Sequence, residues 1–183
     1  MKIEKTELSD NVIITPKRFG DHRGFFSESF SQRDFEAAGL CYTFVQDNHS
    51  LSSQVGTVRG LHFQSPPHAQ DKLVRCSRGR LFDAVVDVRK GSPTYGKWVG
   101  EILSFENGKQ LLVPKGFLHG FMTLEANTEV VYKCSDYYVP DCDGSVRWNS
   151  CGVAWPIDTA VPVLSEKDTT AQEFVSFDSP FDM

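Results

Sequence analysis

Residues Gly56 to Gly79 read GTVRGLHFQSPPHAQDKLVRCSRG, and the rest of the chain is best interpreted outward from this stretch. Two short runs with the composition of β-strands flank a turn at Ser65-Pro66-Pro67. These runs are unusually rich in polar side chains for a purely structural hairpin, namely Arg59, His62, Gln64, His68 and Lys72. We therefore predict that this segment forms one wall of a functional site.

Strand-like runs separated by Gly and Pro turn signals continue along the chain on both sides of this segment. They cover residues 11–16, 42–48, 57–64, 72–78, 80–88, 97–104, 110–113, 117–123 and 129–138. Helices are few: one is predicted from Ser31 to Gly39, with Ser31 as N-cap, and a short terminal one between Ser165 and Phe174, with Ser165 as N-cap. This pattern predicts an all-β antiparallel sandwich or barrel. No repeat or linker divides residues 1–183, so we predict a single domain.

Composition excludes several classes of protein. The chain has 183 residues, of which 40% are hydrophobic and 23% charged, as expected for a soluble protein with a sizeable core. A net charge of -5 argues against nucleic-acid binding, because such proteins concentrate basic residues. The opening MKIEKTELSD does not resemble a signal peptide, and no apolar run has the length of a membrane span, which predicts a cytoplasmic location. Five cysteines without a CxxC pair predict reduced thiols.

Alternation along the strands predicts which side chains share a face. Tyr132 shares a face with apolar neighbours in the run 129–138, while Lys133 points the other way. If the faces that carry His62, Lys72 and Tyr132 line a barrel interior, these three side chains converge. Arg59 is out of phase with His62 in a regular strand, so bringing both to one pocket requires a β-bulge, which Gly60 permits.

The spacing of Gly56, His62 and Gly79 resembles the first half of the cupin signature. Where that signature has further metal ligands, this chain has Gln64 and, near the expected glutamate, His68 and Lys72. The resemblance implies a cupin jelly-roll barrel without the usual metal site.

A second motif, VPKGFLHGF at residues 113–121, resembles the second half of the same signature through Pro114, Gly116 and His119. A catalytic metal needs three or four ligands, and here only His62 and His119 remain, with no carboxylate at the expected position. We therefore predict that no metal is bound.

Seven motifs in sequence order resemble the dTDP-4-dehydrorhamnose 3,5-epimerase family: DHRGFFSESF, QDNHS, GTVRGLHFQ, KLVRC, PKGFLHGF, VYKCSDYY and LSEKD. The resemblance extends from about Val12 to about Val175. It implies a homodimer without a cofactor that inverts carbons 3 and 5 of a dTDP-4-keto-6-deoxyhexose, converting dTDP-4-dehydro-6-deoxy-D-glucose to dTDP-4-dehydro-L-rhamnose.

The resemblance also implies catalytic roles that fit the chemistry. A ketone at carbon 4 acidifies the hydrogens on carbons 3 and 5, so inversion needs a base, an acid on the opposite face and a group that holds the enolate charge. By resemblance, His62 is the base, Asp168 orients it, Tyr132 is the acid and Lys72 stabilises the enolate.

The remaining matched positions are implied to bind the nucleotide sugar. Arg23 and Arg59 correspond to diphosphate contacts, and Tyr138 to a ring that stacks on thymine. The other positions predicted to bind substrate are Phe26, Glu28, Gln46, Asp47, Asn48, His119, Asp143 and Lys167. In the family the N-terminal segment reaches into the partner subunit, so residues Arg23 to Glu28 are expected to serve the neighbouring pocket. The loop 143–150 departs from the family pattern, with its Gly displaced by one position and Ser150 in place of Asp.

Two alternatives remain open on the sequence. Relatives with this fold invert only carbon 3 or only carbon 5 of related dTDP sugars, and the same base and acid would serve them. A metal-free cupin could instead be a sugar-nucleotide-binding module without activity. The presence of both His62 and Tyr132 favours catalysis, because binding alone needs no opposed acid and base.

Overall fold

The structure, a computed structural model, describes residues 1–8, 10–156 and 161–183. Within these ranges the chain forms thirteen β-strands and two short α-helices. The strands are β1 (Lys2–Lys5), β2 (Val12–Thr15), β3 (Arg18–Asp21), β4 (Gly24–Ser27), β5 (Gln46–Ser52), β6 (Val58–Gln64), β7 (Lys72–Arg78), β8 (Arg80–Asp87), β9 (Trp98–Ser104), β10 (Gln110–Val113), β11 (Phe117–Thr123), β12 (Thr128–Cys134) and β13 (Asp143–Ser145). The helices are α1 (Gln32–Ala37) and α2 (Glu166–Thr169), and single 3₁₀ turns lie at Pro140–Cys142 and Phe174–Ser176.

Two antiparallel sheets face each other across the main core. One has the strand order β1-β2-β10-β7-β12-β5, and the other has the order β13-β6-β11-β8-β9. Strands β3 and β4 form a separate hairpin. The core joins the two sheets, because Val74 and Val130 of the first pack in one cluster with Leu81, Val85 and Phe121 of the second. The jelly-roll architecture predicted from the sequence is confirmed.

Strands β6 and β11 pair with a shift of register that governs the site. His62 lies opposite His119 and Arg59 lies opposite Phe121, so β6 spans three steps where β11 spans two. The extra residue is a β-bulge, which changes the face to which the following side chains point. As a result Arg59 and His62 line the same cavity, and the bulge predicted at Gly60 is confirmed.

Gly60→Ala is expected to lower the free energy of unfolding by more than about 2 kcal/mol. Gly60 has a φ of +138°, and a Cβ at this position would lie 2.6 Å from the Cα of Gly120 on the paired strand. Backbone strain and a backbone collision therefore add. Gly24→Ala is the matched control, because Gly24 has a φ of +130° and nothing within 4 Å of an added Cβ. Urea unfolding measures both variants, and equal losses would show that the close approach contributes nothing.

Most predicted elements agree with the structure. Strands β6 to β11 match the predicted runs within one residue at each end. Ser31 caps α1 by accepting a hydrogen bond from the N–H of Asp34, and Ser165 caps α2 by accepting one from the N–H of Asp168. Both caps are confirmed, although α2 is shorter than the predicted run to Phe174.

Two predicted strands have different limits. Strand β5 spans Gln46–Ser52, so it begins and ends four residues after the predicted run 42–48. Tyr42 and Phe44 instead pack against the cluster that contains Phe35 of α1, so their apolar character reflects helix packing rather than strand pairing. The predicted run 129–138 extends four residues too far, because β12 ends at Cys134.

Strand β12 ends where its neighbours end. Cys134 lies opposite Lys72, the first residue of β7, and opposite Gln46, the first residue of β5. Among the described residues, no strand lies beside the chain beyond this point, and one further backbone bond, from the N–H of Ser135 to the carbonyl of Asp71, ends the pairing. The sequence also failed to indicate β1, β3 and β13, which are three or four residues long and depend on pairing with β2, β4 and β6.

The five cysteines are free thiols. Among the described residues, no helix is long and apolar enough to cross a membrane.

Candidate active site

A cavity of about 380 Å³ lies between the two sheets. Polar side chains reach it from β5, β6, β7, β11 and β12, and from α2 and the segment that leads into it. The wall is formed by Ser50, Thr57, Val58, Arg59, His62, Lys72, His119, Phe121, Tyr132, Val163, Leu164, Ser165 and Asp168. The cavity thus contains all four predicted catalytic residues and two of the predicted substrate-binding residues.

His62 and Asp168 form a close pair on one side of the cavity. The Nε2 atom of His62 lies 2.5 Å from Oδ1 of Asp168, whose side chain is almost completely buried. The Ser165 hydroxyl donates to Oδ2 of Asp168 at 2.8 Å. Burial acts to raise the pKa of Asp168, but the hydrogen bond and charge of His62, the hydrogen bond of Ser165 and the charge of Lys167 together hold that pKa below its ordinary value.

An ionised Asp168 determines the tautomer of His62. A carboxylate only accepts hydrogen bonds, so Nε2 of His62 carries the proton and donates it to Asp168. The other ring nitrogen, Nδ1, is then unprotonated in the neutral imidazole and is able to accept a proton. A carboxylate that orients a histidine also stabilises the imidazolium formed after proton abstraction.

Tyr132 reaches the cavity from the opposite sheet. It lies on β12 between Val130 and Cys134, which are buried on the same face, as the alternation predicted. Burial raises the pKa of the Tyr132 phenol above its ordinary value. The phenol therefore keeps its proton at neutral pH and is able to donate it.

Lys72 lies at the start of β7, opposite Cys134 of β12. Burial lowers the pKa of its ammonium, while Asp143 and Asp83 act in the opposite direction. Among the described residues, the ammonium makes no hydrogen bond or ion pair. It is therefore available to a negative group in the cavity.

His119 is oriented by a residue that the sequence analysis missed. Its Nε2 atom lies 2.9 Å from Oδ1 of Asp83, which is completely buried on β8. The second oxygen of Asp83 has no hydrogen-bond partner among the residues that the structure describes. The signal in the sequence is a single acidic residue in the apolar run Leu81 to Val86, since a buried charge needs a partner.

Arg59 lies at the edge of the cavity. Its guanidinium donates to the Ser52 hydroxyl at 3.2 Å and to the carbonyl oxygen of Leu51 at 3.1 Å. These bonds tie its guanidinium to β5. A guanidinium held in this way suits a diphosphate geometrically.

A chain of polar contacts continues from α2 to Tyr138. Lys167 lies 2.5 Å from Oδ2 of Asp143, and the Tyr138 hydroxyl donates to the same oxygen at 3.3 Å. Asp143 belongs to β13, which pairs with β6 so that Ser145 lies opposite His62. These three predicted binding residues are therefore adjacent to one another and next to the strand that carries His62.

Strand β5 separates the three predicted residues that it carries. Gln46 and Asn48 are half-buried and bonded to each other through their side chains at 3.1 Å. Asp47 points to the other face, where it pairs with Lys133 at 2.9 Å. The prediction grouped Asp47 with its neighbours, but alternation along a strand places it away from the cavity.

Three further predicted residues lie outside this cavity in the same chain. Arg23 pairs with Asp21 within the β3–β4 hairpin, and Phe26 is 70% exposed. Glu28 lines a separate groove beside α1. A pocket built from one chain therefore includes none of the three.

Some of the positions that carry metal ligands in the cupin signature are occupied by other residue types in this chain. Among the described residues, no group of three or more His, Cys, Asp and Glu side chains could hold a metal ion. Gln64, at one of these positions, uses its amide in hydrogen bonds to the backbone.

Comparison with known proteins places this geometry in a family. The family described as dTDP-4-dehydrorhamnose 3,5-epimerase matches residues 5–176. The enzyme of that name from Shigella flexneri is 50% identical over 181 residues, which cover 97% of this chain and 98% of the relative.

Two solved structures have the same fold. The dTDP-6-deoxy-D-glucose-3,5-epimerase of Legionella pneumophila, in complex with dTDP-4-keto-L-rhamnose, has a TM-score of 0.94 and 44% identity, covering 100% of this chain and 98% of that one. The dTDP-4-dehydrorhamnose 3,5-epimerase of Bacillus anthracis, with TDP and PPi bound, has a TM-score of 0.91 and 46% identity, covering 94% and 98%. With a family match over nearly its whole length and a relative half identical to it, this chain belongs to the dTDP-4-dehydrorhamnose 3,5-epimerase family.

Proposed function

We propose that this protein inverts carbons 3 and 5 of dTDP-4-dehydro-6-deoxy-D-glucose and releases dTDP-4-dehydro-L-rhamnose. The observation that carries the proposal is the meeting of the His62–Asp168 pair and Tyr132 in one cavity, reached from two facing sheets. The substrate follows from the names of the relatives and from the sugar nucleotide bound in the Legionella enzyme.

Proton abstraction is assigned to His62. Its unprotonated ring nitrogen removes the hydrogen next to the carbon 4 ketone, and the C–H electron pair passes into an enolate. Asp168 then faces an imidazolium at 2.5 Å, which stabilises the charge that has formed. Histidine is the side chain that most often acts as a general base in enzymes.

Reprotonation from the other face is assigned to Tyr132. The phenol donates its proton to the enolate carbon and the carbonyl is restored, with inverted configuration at that carbon. His62 then releases its proton to solvent and the Tyr132 phenolate takes one up. No net oxidation or reduction occurs. The raised pKa of Tyr132 keeps the acid loaded between turnovers.

The charge of the enolate is assigned to Lys72. His119, which Asp83 holds at 2.9 Å, is assigned to substrate binding, because the nitrogen that faces away from Asp83 accepts hydrogen bonds in the neutral ring. Lys72 carries an ammonium into the cavity without a side-chain partner among the described residues, and it supplies a fixed positive charge. Preorganised groups of this kind commonly provide the largest part of a catalytic effect.

Nucleotide binding is assigned to the cavity mouth. Arg59 binds the diphosphate, Tyr138 stacks on thymine, and Gln46, Asn48, Asp143 and Lys167 complete this end. We further propose a cytoplasmic homodimer of single-domain subunits, in which Arg23, Phe26 and Glu28 of each hairpin serve the pocket of the other subunit. The exposure of Phe19, Phe25 and Phe26 supports this proposal, because such apolar groups commonly mark interfaces.

Proton exchange with solvent tests the reaction. The purified protein is expected to introduce deuterium from D₂O at both carbon 3 and carbon 5 of the keto sugar nucleotide, as followed by NMR. Labelling at only one carbon would indicate a single-site epimerase, and absence of labelling with retained dTDP binding would indicate a binding module. Either result contradicts the proposed double inversion.

A further inference from the structure

Gln64 lies two residues after His62 on β6 and is only 5% exposed. Its amide nitrogen donates to the carbonyl oxygens of Tyr137, at 2.9 Å, and of His68. Its amide oxygen accepts from the N–H of Val139 at 2.9 Å. Both donors and one acceptor position of the amide are therefore used within one side chain.

These bonds bracket Tyr138. Gln64 holds the residue on either side of it, and Gln46 accepts from the N–H of Tyr138 itself at 3.2 Å. Residues 136–139 belong to no helix or strand, so no strand pairing fixes their position. The Tyr138 side chain is 56% exposed and its hydroxyl donates to Asp143, so a polar contact at its tip holds the ring and burial does not.

Bonding to two carbonyl oxygens and one N–H at position 64 requires a primary amide on a side chain of this length. A glutamate would direct carboxylate oxygens at the carbonyls of His68 and Tyr137, which need donors. A methionine would fill the volume without any hydrogen bond. Leaving these part-buried carbonyl groups without a donor is unfavourable, so either change releases the segment. The pairing of β6 with β13 and β11 uses the backbone and does not depend on the side chain.

We infer that Gln64 is a positioning residue that fixes the Tyr138 ring against the nucleotide base and thereby sets affinity for the nucleotide. This inference rests on the proposed function, in which Tyr138 stacks on thymine. Strand β6 then carries two separate tasks on one face: His62 moves the proton, and Gln64 holds the recognition segment. The two tasks are separable by experiment.

Gln64→Glu is expected to raise the Kd of dTDP and the KM of the sugar nucleotide about tenfold, the loss expected when one base–aromatic stack is removed. The kcat at saturating substrate is expected to stay within about twofold, because a change confined to binding acts on KM. Gln64→Met carries the same expectation without a buried charge. Equal falls in kcat and kcat/KM would overturn the inference.

Asn11→Asp is the matched control. Asn11 is 1% exposed, and its amide donates to the carbonyl oxygen of Leu112 at 2.6 Å, away from the cavity. The same amide-to-carboxylate change is therefore expected to lower stability and to leave the Kd of dTDP unchanged. A Kd raised equally in Asn11→Asp and Gln64→Glu would mean that general destabilisation explains the effect.

A double variant tests the link to Tyr138. In a Tyr138→Ala background, Gln64→Glu is expected to raise the Kd of dTDP no further, because both changes remove the same contact. Multiplicative effects would show that Gln64 acts on something other than the ring, and would overturn the inference.

Amide hydrogen exchange separates this inference from the proposed function. In the unaltered protein the N–H of Val139 is expected to exchange slowly, and Gln64→Met is expected to accelerate exchange at residues 137–139. Rapid exchange at Val139 before any substitution would overturn the inference. A protein that shows this protection and binds dTDP, but labels neither carbon, would overturn the proposed function alone.

Discussion

His62→Ala is expected to lower kcat/KM for epimerisation by about 10³-fold or more, since a positioned general base contributes factors of about 10² to 10⁴. Deuterium incorporation at carbons 3 and 5 is expected to fall with it, because proton abstraction is assigned to the imidazole that Asp168 holds in the cavity. The Kd of dTDP is expected to remain nearly unchanged, since the proposed contacts to the nucleotide come from Arg59 and the Tyr138 segment. Exchange kinetics by NMR and calorimetric titration of dTDP measure the two quantities.

His49→Ala provides the control for His62→Ala. His49 is also a histidine paired with a carboxylate, at 3.1 Å from Glu129, but it lies on the outer face of β5 and is largely exposed. Its removal is expected to leave kcat/KM and exchange unchanged. Near-normal exchange in His62→Ala, or a comparable loss in His49→Ala, would refute the assignment of the base.

The sequence predicted the core of the candidate site because strand alternation is a local property. Tyr132 and Lys133 point to opposite faces whichever sheet receives them, and the bulge near Gly60 followed from the need to bring Arg59 and His62 to one face. The same rule, applied to β5, separates Asp47 from Gln46 and Asn48. The sequence analysis predicted all three to bind substrate.

Contacts between distant parts of the chain were not predictable in this way. Asp83 and His119 are 36 residues apart, and their bond exists because β8 and β11 are neighbours in the sheet. Gln64 holds Tyr137 across 73 residues. Composition and periodicity carry no information on such pairs, although a lone acidic residue inside an apolar strand indicates that some partner exists.

The two errors in strand limits have the same origin. Tyr42 and Phe44 have the composition of a strand, yet they pack beside α1, and β12 ends where β5 and β7 stop. Local propensity describes which backbone conformation a residue favours, whereas pairing with neighbouring strands determines where a strand begins and ends. The sequence therefore predicted which strands exist more accurately than the residues at which they begin and end.

Tyr132→Phe is expected to lower the rate of complete epimerisation by about 10²-fold, the scale of a lost general acid. Exchange of the first substrate hydrogen with solvent is expected to fall much less. His62 is able to remove that hydrogen and return a deuteron to the same face without the phenol, whereas inversion needs a donor on the other face. The variant is therefore expected to label substrate faster than it forms product.

Tyr42→Phe is the matched control for Tyr132→Phe. Burial raises the pKa of the Tyr42 phenol as it does that of Tyr132, but Tyr42 packs in the cluster around Phe35, outside the cavity. Its substitution is expected to change neither exchange nor product formation. Parallel time courses of deuterium entry into substrate and appearance of product, recorded by NMR, give the ratio of exchange to inversion for each variant. If Tyr132→Phe reduces both rates by the same factor, the phenol acts before or during proton abstraction, and the donor on the opposite face must be another group.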